Sequence, residues 1–187
     1  MGAAFLLVLV VGLVWSVASY NRLVRYRNQV RNGWKQIDVQ LRRRHDLIPG
    51  LVAAVKGALE FEQDTFDKVA QARTAAMRAR GVAQSAPAES ALSQALRQLV
   101  AVVENYPELS ATENVAALQE ELTTTENQIG FARQHYNDVA MRFNTRQEVF
   151  PANLIAGMFG FEQAEFFSAD PADRVAPVVD LSLRSQA

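Results

Sequence analysis

The 187-residue sequence has no cysteine. That removes disulfides, thiol nucleophiles and the tetrahedral sulfur sites of structural zinc. Two histidines, His45 and His135, are too few for a metal site built from imidazole. Glycine and proline are also scarce, at nine and six. Helix formers (Ala, Gln, Glu, Leu, Arg) fill the space they leave, which predicts an all-α chain. Alternating apolar and polar residues, the mark of a strand, are confined to a short run at Val175 to Leu183. Gly-rich phosphate loops, nucleophile elbows and zinc-hydrolase helix signatures do not occur. No residue pattern therefore supports an enzyme, and no cofactor is expected. The length suits one domain with a core plus appendages.

Charge is missing from the first 20 residues, "MGAAFLLVLVVGLVWSVASY". A helix of about 20 apolar residues spans a hydrocarbon core of about 30 Å. The stretch reads as an uncleaved anchor, because a signal peptide carries its basic residues before the apolar run and here they come after it. The myristoylation pattern fails at Leu6, where Ser or Thr is required. Residues 21–45 then hold eight Lys or Arg against one acid, Asp38, while residues 46–187 hold eleven basic and nineteen acidic residues. Membrane-adjacent basic residues are retained on the cytoplasmic side, so Arg22, Arg25, Arg27, Arg31 and Lys35 predict a single pass with the N-terminus outside and the remainder cytoplasmic. Arg22, Arg25, Arg27 and Arg31 are placed either to meet anionic lipid headgroups or to set topology alone. A basic stretch without a folded nucleic-acid motif, followed by an acidic domain, argues against nucleic acid as a partner.

Beyond the anchor, Leu23, Tyr26, Val30, Trp34, Ile37, Leu41, Ile48, Val52, Val55 and Leu59 recur by three and four, an amphipathic helix continuous with the membrane segment to about residue 60. Pro49 and Gly57 are expected to bend it rather than end it. Helical spacing resumes through Phe66, Val69, Ala72 and Ala76. "GVAQSAPAES", residues 81–90, combines Gly, Pro and Ser and predicts a loop. A helix follows with Leu92, Leu96, Leu99, Val100 and Val103 on one side, stopping near Tyr106 and Pro107. Ser110 and Thr112 are N-cap candidates for a last long helix from about Thr112 to Phe150. Pro151 interrupts it, and six of the ten Phe fall between residues 143 and 167. These stripes predict an antiparallel helical bundle. The organisation read from the chain is an anchor at 1–20, a bundle at 21–150, and an aromatic-rich segment with an extended tail at 151–187.

The stretches "QIDVQLRRRHDLIPGLV", "TENQIGFARQHYNDVAMRFN" and "FPANLIAGMFGF" resemble the LemA family of bacterial membrane proteins, and the resemblance runs nearly end to end. It implies an anchor in the inner (plasma) membrane, a cytoplasmic helical bundle, no established enzymatic activity and, through a magnetosome relative, an association with membrane organisation. His45 and Gly50 depart from the family's usual small residue and Asn.

Four groups of residues are candidates for interaction. Arg42, Arg43 and Arg44 cover nearly a full turn, so at least one is expected to reach a carboxylate: Asp38 or Asp46 locally, or Glu120, Glu121 or Glu126 on the last helix. Asn137 and Asn144, seven apart, are expected to hydrogen-bond across the bundle and fix its register, as polar core positions do in coiled coils. His45 and His135 meet only if the first and last helices pack antiparallel. Phe159, Phe161, Phe166 and Phe167 form a segment too apolar to leave bare. It has two open destinations, packing on protein or lying on the membrane surface. The leading functional expectation is a non-catalytic membrane scaffold acting as a homo-oligomer. The alternative is an adaptor or sensor holding a membrane protease or signalling partner.

Overall fold

The computed structural model describes residues 1–56, 62–110 and 112–168. Within them are six helices and no strand: α1 (Gly2–Lys56), α2 (Gln63–Arg78), α3 (Gly81–Glu104), α4 (Pro107–Ser110), α5 (Glu113–Glu148) and α6 (Ala152–Met158). Gly57, Leu59 and the alternating run at 175–183 lie outside the described residues.

The uncharged first 20 residues and the first amphipathic stripe form one unbroken helix of 55 residues, roughly 80 Å long at 1.5 Å per residue. Its first part is exposed all round, whereas Leu23, Ile37, Leu41, Ile48, Leu51 and Val55 are buried farther along. Helix α5 runs antiparallel to it. Leu23 packs with Phe143, Ile37 and Leu41 with Ile129 and Tyr136, and Ile48 and Leu51 with Val115. Gly33 permits the closest approach: a Cβ there would lie 3.4 Å from the Tyr136 backbone and 3.5 Å from the Val139 side chain. A larger residue would push the two helices apart.

Pro49 lies inside α1 without ending it. Lacking an N–H, it leaves the carbonyl of His45, four residues back, without its intrahelical donor. Arg73 of α2 supplies the replacement, its Nε donating to the His45 oxygen at 2.8 Å. The proline thus creates an acceptor that ties α2 to α1.

The segment 81–90 is not a loop, contrary to its composition. It forms the first turns of α3, and the reversal from α2 is confined to the residues around Gly81, whose φ of +69° suits a glycine. Buried positions continue through it at helical spacing, Val82, Ser85 and Glu89 leading into Leu92, Leu96 and Leu99. Two of those three leading positions are polar, which hid the stripe. Pro87 is exposed, as is Ala83, whose carbonyl loses its partner to that proline, so water can satisfy it. Packing of the α2–α3 hairpin overrides the local turn signals.

Thr112 occupies the N-cap of α5, but its hydroxyl turns back to the Leu109 carbonyl at 2.8 Å. Ser110 likewise bonds the Pro107 carbonyl.

Two regions result. In the head, α2 and α3 pack over the far end of α1 and the start of α5, burying a core that draws on all four helices. In the stalk, α1 and α5 pair, touched by the start of α3 through Val82 and Ala86, and are joined by α6 and an extended segment, residues 161–168.

Candidate functional site

The arginine triplet at the base of the head divides into three environments. Arg42 is exposed and pairs with Asp38 at 2.6 Å. Arg43 is half exposed and lies 3.9 Å from Glu121 of α5. Arg44 is 1% exposed. Its guanidinium donates to the carboxylates of Glu89 on α3 and Glu126 on α5 and to Ser93 Oγ at 2.9 Å. His45 Nε2 lies 2.8 Å from the second oxygen of Glu89. One turn of α1 therefore engages α3 through Glu89, α5 through Glu126 and, by the His45 carbonyl, α2 through Arg73.

Charge placed so deep is tolerated only when paired. Burial pushes the Glu89 carboxyl up, but the His45 hydrogen bond and the Arg44 charge outweigh it and hold Glu89 below its ordinary value. The cluster fixes three helices against one another, with the planar guanidinium serving two carboxylates as an ammonium could not. Glu89 lay in the segment expected to be a loop, so the sequence offered Glu120, Glu121 and Glu126 as partners instead. Glu126 is one of the two carboxylates that Arg44 reaches.

His45 and His135 do not meet, although α1 and α5 are antiparallel. His135 lies beside Lys35, Gln36 and Val39, roughly 15 Å along α1 from His45. Among the described residues, no three His, Cys, Asp or Glu side chains are grouped to hold a metal ion.

The stalk is closed by a different device. Asn144 accepts from the Ala164 N–H at 2.8 Å and donates to the Ala164 carbonyl at 2.9 Å. Asn137 does the same to Phe167, at 2.9 and 3.0 Å. Seven residues of helix rise roughly 10 Å, and three residues of extended chain cover nearly the same distance. Two amides seven apart on α5 therefore match two peptide groups three apart on the segment, which runs antiparallel to the helix. The asparagines fix a register as expected, but that of an extended segment rather than of a neighbouring helix. Gln147 adds a longer contact to the Glu162 carbonyl at 3.4 Å, and Tyr136 donates its hydroxyl to the Glu165 carbonyl at 2.7 Å. Burial first, and then the Glu165 charge, raise the Tyr136 phenol above its ordinary range, so it stays a donor.

Every third residue of the clasped segment faces inward. Phe161 stacks edge-on to Tyr20 and Phe143, with ring centroids 5.8 and 6.3 Å apart. Ala164 follows, and then Phe167, which is buried and lies 6.1 Å from the Trp34 ring. Arg27 sits over the Phe161 ring at 5.3 Å and Arg133 over Phe167 at 4.6 Å. Phe161 and Phe167 thus pack on protein, while Phe159 and Phe166 remain exposed. Of the five basic residues from Arg22 to Lys35, Arg22, Arg25, Arg31 and Lys35 are exposed and Arg27 is partly buried.

Among the described residues, α1 alone is long and apolar enough to cross a membrane. The LemA family model matches residues 33–181. Magnetosome protein MamQ 2 of Paramagnetospirillum magneticum is 25% identical over 182 residues, covering 82% of this chain and 66% of its own length. This chain thus spans just under two thirds of that relative. Protein LemA of Metamycoplasma hominis is 25% identical over 172 residues, with 90% of this chain and 78% of the relative covered. Magnetosome protein MamQ of Magnetospirillum gryphiswaldense is 28% identical over 85 residues, covering 46% of this chain and 31% of the relative. The apolar helix, the helical bundle and the extent of these matches place the chain as a membrane-associated protein that belongs to the LemA family.

Proposed function

We propose that the protein is a non-catalytic scaffold of the bacterial inner membrane, anchored by α1 with its N-terminus outside, whose cytoplasmic helices self-associate side by side. One observation carries this reading. On the flank of the stalk, between α1 and α5, Val39 and Phe131 are 61% and 72% exposed along a shallow groove with Gln36, Ala132 and His135. Two large apolar side chains on a rigid helical pair suit a lateral contact between copies. The polar groups of the head support a structural role, because Arg44, His45, Glu89 and Glu126 bond one another across α1, α3 and α5, although two surface grooves also reach them.

Mass measurement of the detergent-extracted protein, before and after Phe131→Asp with Val39→Asp, tests the assembly. The expected result is an oligomer that the double variant reduces to monomers. A wild-type protein that is uniformly monomeric in detergent and in native-membrane cross-linking overturns the scaffold reading. A single stoichiometric foreign partner in those cross-links would favour the adaptor instead. Orientation is checked by a reporter fused after Ala187, which should be active only on the cytoplasmic side.

A further inference from the structure

The thirteen residues from Val149 to Phe161 carry no charge. They contain α6, a helix of seven residues that is apolar on both sides. Its inner side, Ala152, Ile155 and Ala156, is buried, and the last two join a cluster with Leu23 and Phe143. The outer side is largely bare: Phe150, Leu154, Met158 and Phe159 are 75%, 59%, 76% and 57% exposed. Four large apolar side chains on one short element form a patch that water disfavours.

The position of α6 identifies what covers that patch. The Phe159 ring lies 4.8 Å from the ring of Tyr20, and Trp15 packs against the cluster formed by Ile155 and Ala156. Ser19 is buried at the same level. Trp15, Ser19 and Tyr20 all belong to the uncharged first 20 residues of α1. Trp15 and Tyr20 are five residues apart, roughly 7–8 Å along the helix axis. An element packed on both reaches that far down the apolar stretch, and interfacial elements sink about 5–10 Å into the headgroup boundary. An apolar run of about 10–14 residues is too short to span and suits an interfacial position.

We propose that residues 149–161 are an interfacial membrane-docking element, which seats Phe150, Leu154, Met158 and Phe159 in the bilayer surface beside α1, with the exposed Arg22 and Arg25 at the level of the lipid phosphates. The inference rests on α1 being inserted through its apolar stretch. Its consequence is a two-point attachment. A single helix leaves the stalk free to tilt and turn about its anchor, whereas α6 fixes which face of the α1–α5 pair is turned to the membrane. Any lateral contact between copies is then presented in one orientation.

The absence of native cysteine makes the test direct. Single cysteines replacing Leu154 and Met158, and for reference Val8 in the apolar stretch and Met77 on α2, each carry an environment-sensitive fluorophore on the full-length protein. The protein is placed in nanodiscs of phosphatidylcholine and phosphatidylglycerol, with nitroxides on the lipids at shallow or deep positions and iodide as the aqueous quencher. Labels at 154 and 158 should be quenched strongly by the shallow nitroxide and several-fold less by iodide than the label at 77. Iodide quenching equal to that at 77 overturns the proposal. So does a label shielded from iodide that neither nitroxide reaches, since protein then covers the patch. A label at Val8 that the deep nitroxide does not quench overturns the insertion of α1 itself, which separates that failure from failure of the docking element.

Discussion

The head and the stalk hold the same two helices together by opposite means. In the head, α1 meets α5 through a buried arginine shared between carboxylates on two other elements, Glu89 and Glu126. In the stalk it meets α5 through apolar contacts sealed by the segment 161–168, held by the neutral amides of Asn137 and Asn144. A buried charge that loses its partner is expensive, so the head is an all-or-none structure. Neutral amide-to-backbone bonds are worth about 0.5–1.5 kcal/mol each, so the clasp is a sum of modest terms that can open locally. Cooperativity is therefore concentrated away from the anchor, and adjustability near it.

The sharpest way to break the contrast is to remove one charge from the head. Glu89→Gln leaves Arg44 with only the half-exposed Glu126 and should cost about 3–5 kcal/mol, read by denaturant unfolding of the detergent-solubilised protein. Removing the group as a set, Arg44→Met with Glu89→Leu, should recover much of that loss, since an apolar replacement of a buried pair is often neutral or stabilising. Glu89→Gln unfolding within the error of wild type would mean that Glu89 contributes no net attraction.

The same carboxylate sets a pH dependence. Its folded value lies below its ordinary 4.5, so its contribution is fully present above that ordinary value and is lost as pH falls through the lowered one. Unfolding free energy should decline on acidification below about pH 4.5 by more in wild type than in the Arg44→Met, Glu89→Leu pair. Parallel declines would assign acid sensitivity to other groups.

A smaller effect is expected in the stalk. Asn137→Ala with Asn144→Ala removes four hydrogen bonds to part-buried backbone groups, which water can partly replace, so about 2 kcal/mol is expected. The distinguishing measurement is hydrogen exchange: residues 161–168 should lose protection while α2 and α3 keep theirs. If the head loosens equally, the two regions are one cooperative unit and the contrast fails.

Arg73→Ala removes the donor that Pro49 calls for, and a hydrogen bond from a charged group is worth about 1.5–3 kcal/mol, toward the lower figure for a side chain at the edge of the core. The loss should shrink in a Pro49→Ala background, where residue 49 regains an N–H for the His45 carbonyl. Equal losses in both backgrounds would detach Arg73 from the proline.

Much of this architecture is readable from residues alone, because long stripes such as Leu23 to Val55 and Val115 to Phe143 state their helices by spacing. The all-α fold and the start of α5 follow from that periodicity, and the apolar first part of α1 from its lack of charge. The head's central ion cluster does not, and the reason is specific. Glu89 occupies a core position of a helix whose first turns contain Gly81, Ser85 and Pro87, and a single sequence cannot say that a polar residue there has a buried partner 45 residues away. Asn137 and Asn144 did announce a register device by their spacing. Their partner was hidden because the backbone groups of 164 and 167 carry no sequence signature. Pro49 marks an acceptor, but only the fold supplies Arg73.

Arg43 gives the finest test, because its neighbour Arg44 has the same chemistry and the opposite environment. At 3.9 Å from Glu121, with both side chains about half exposed, its pair is solvated, and such pairs are worth about 0.2–1 kcal/mol. Arg43→Glu places like charges across α1 and α5 and should lower stability by no more than about 1 kcal/mol, with a loss that shrinks in high salt as screening shortens its reach. Membrane insertion should be unchanged, since the substitution lies far beyond the apolar stretch. The expected place for a visible effect is the proposed assembly, in which a reversed charge on an exposed flank would meet another copy. If cross-linked oligomers persist unchanged, Arg43 faces only water, and the one arginine of the triplet that matters to the fold is the one that never reaches the surface.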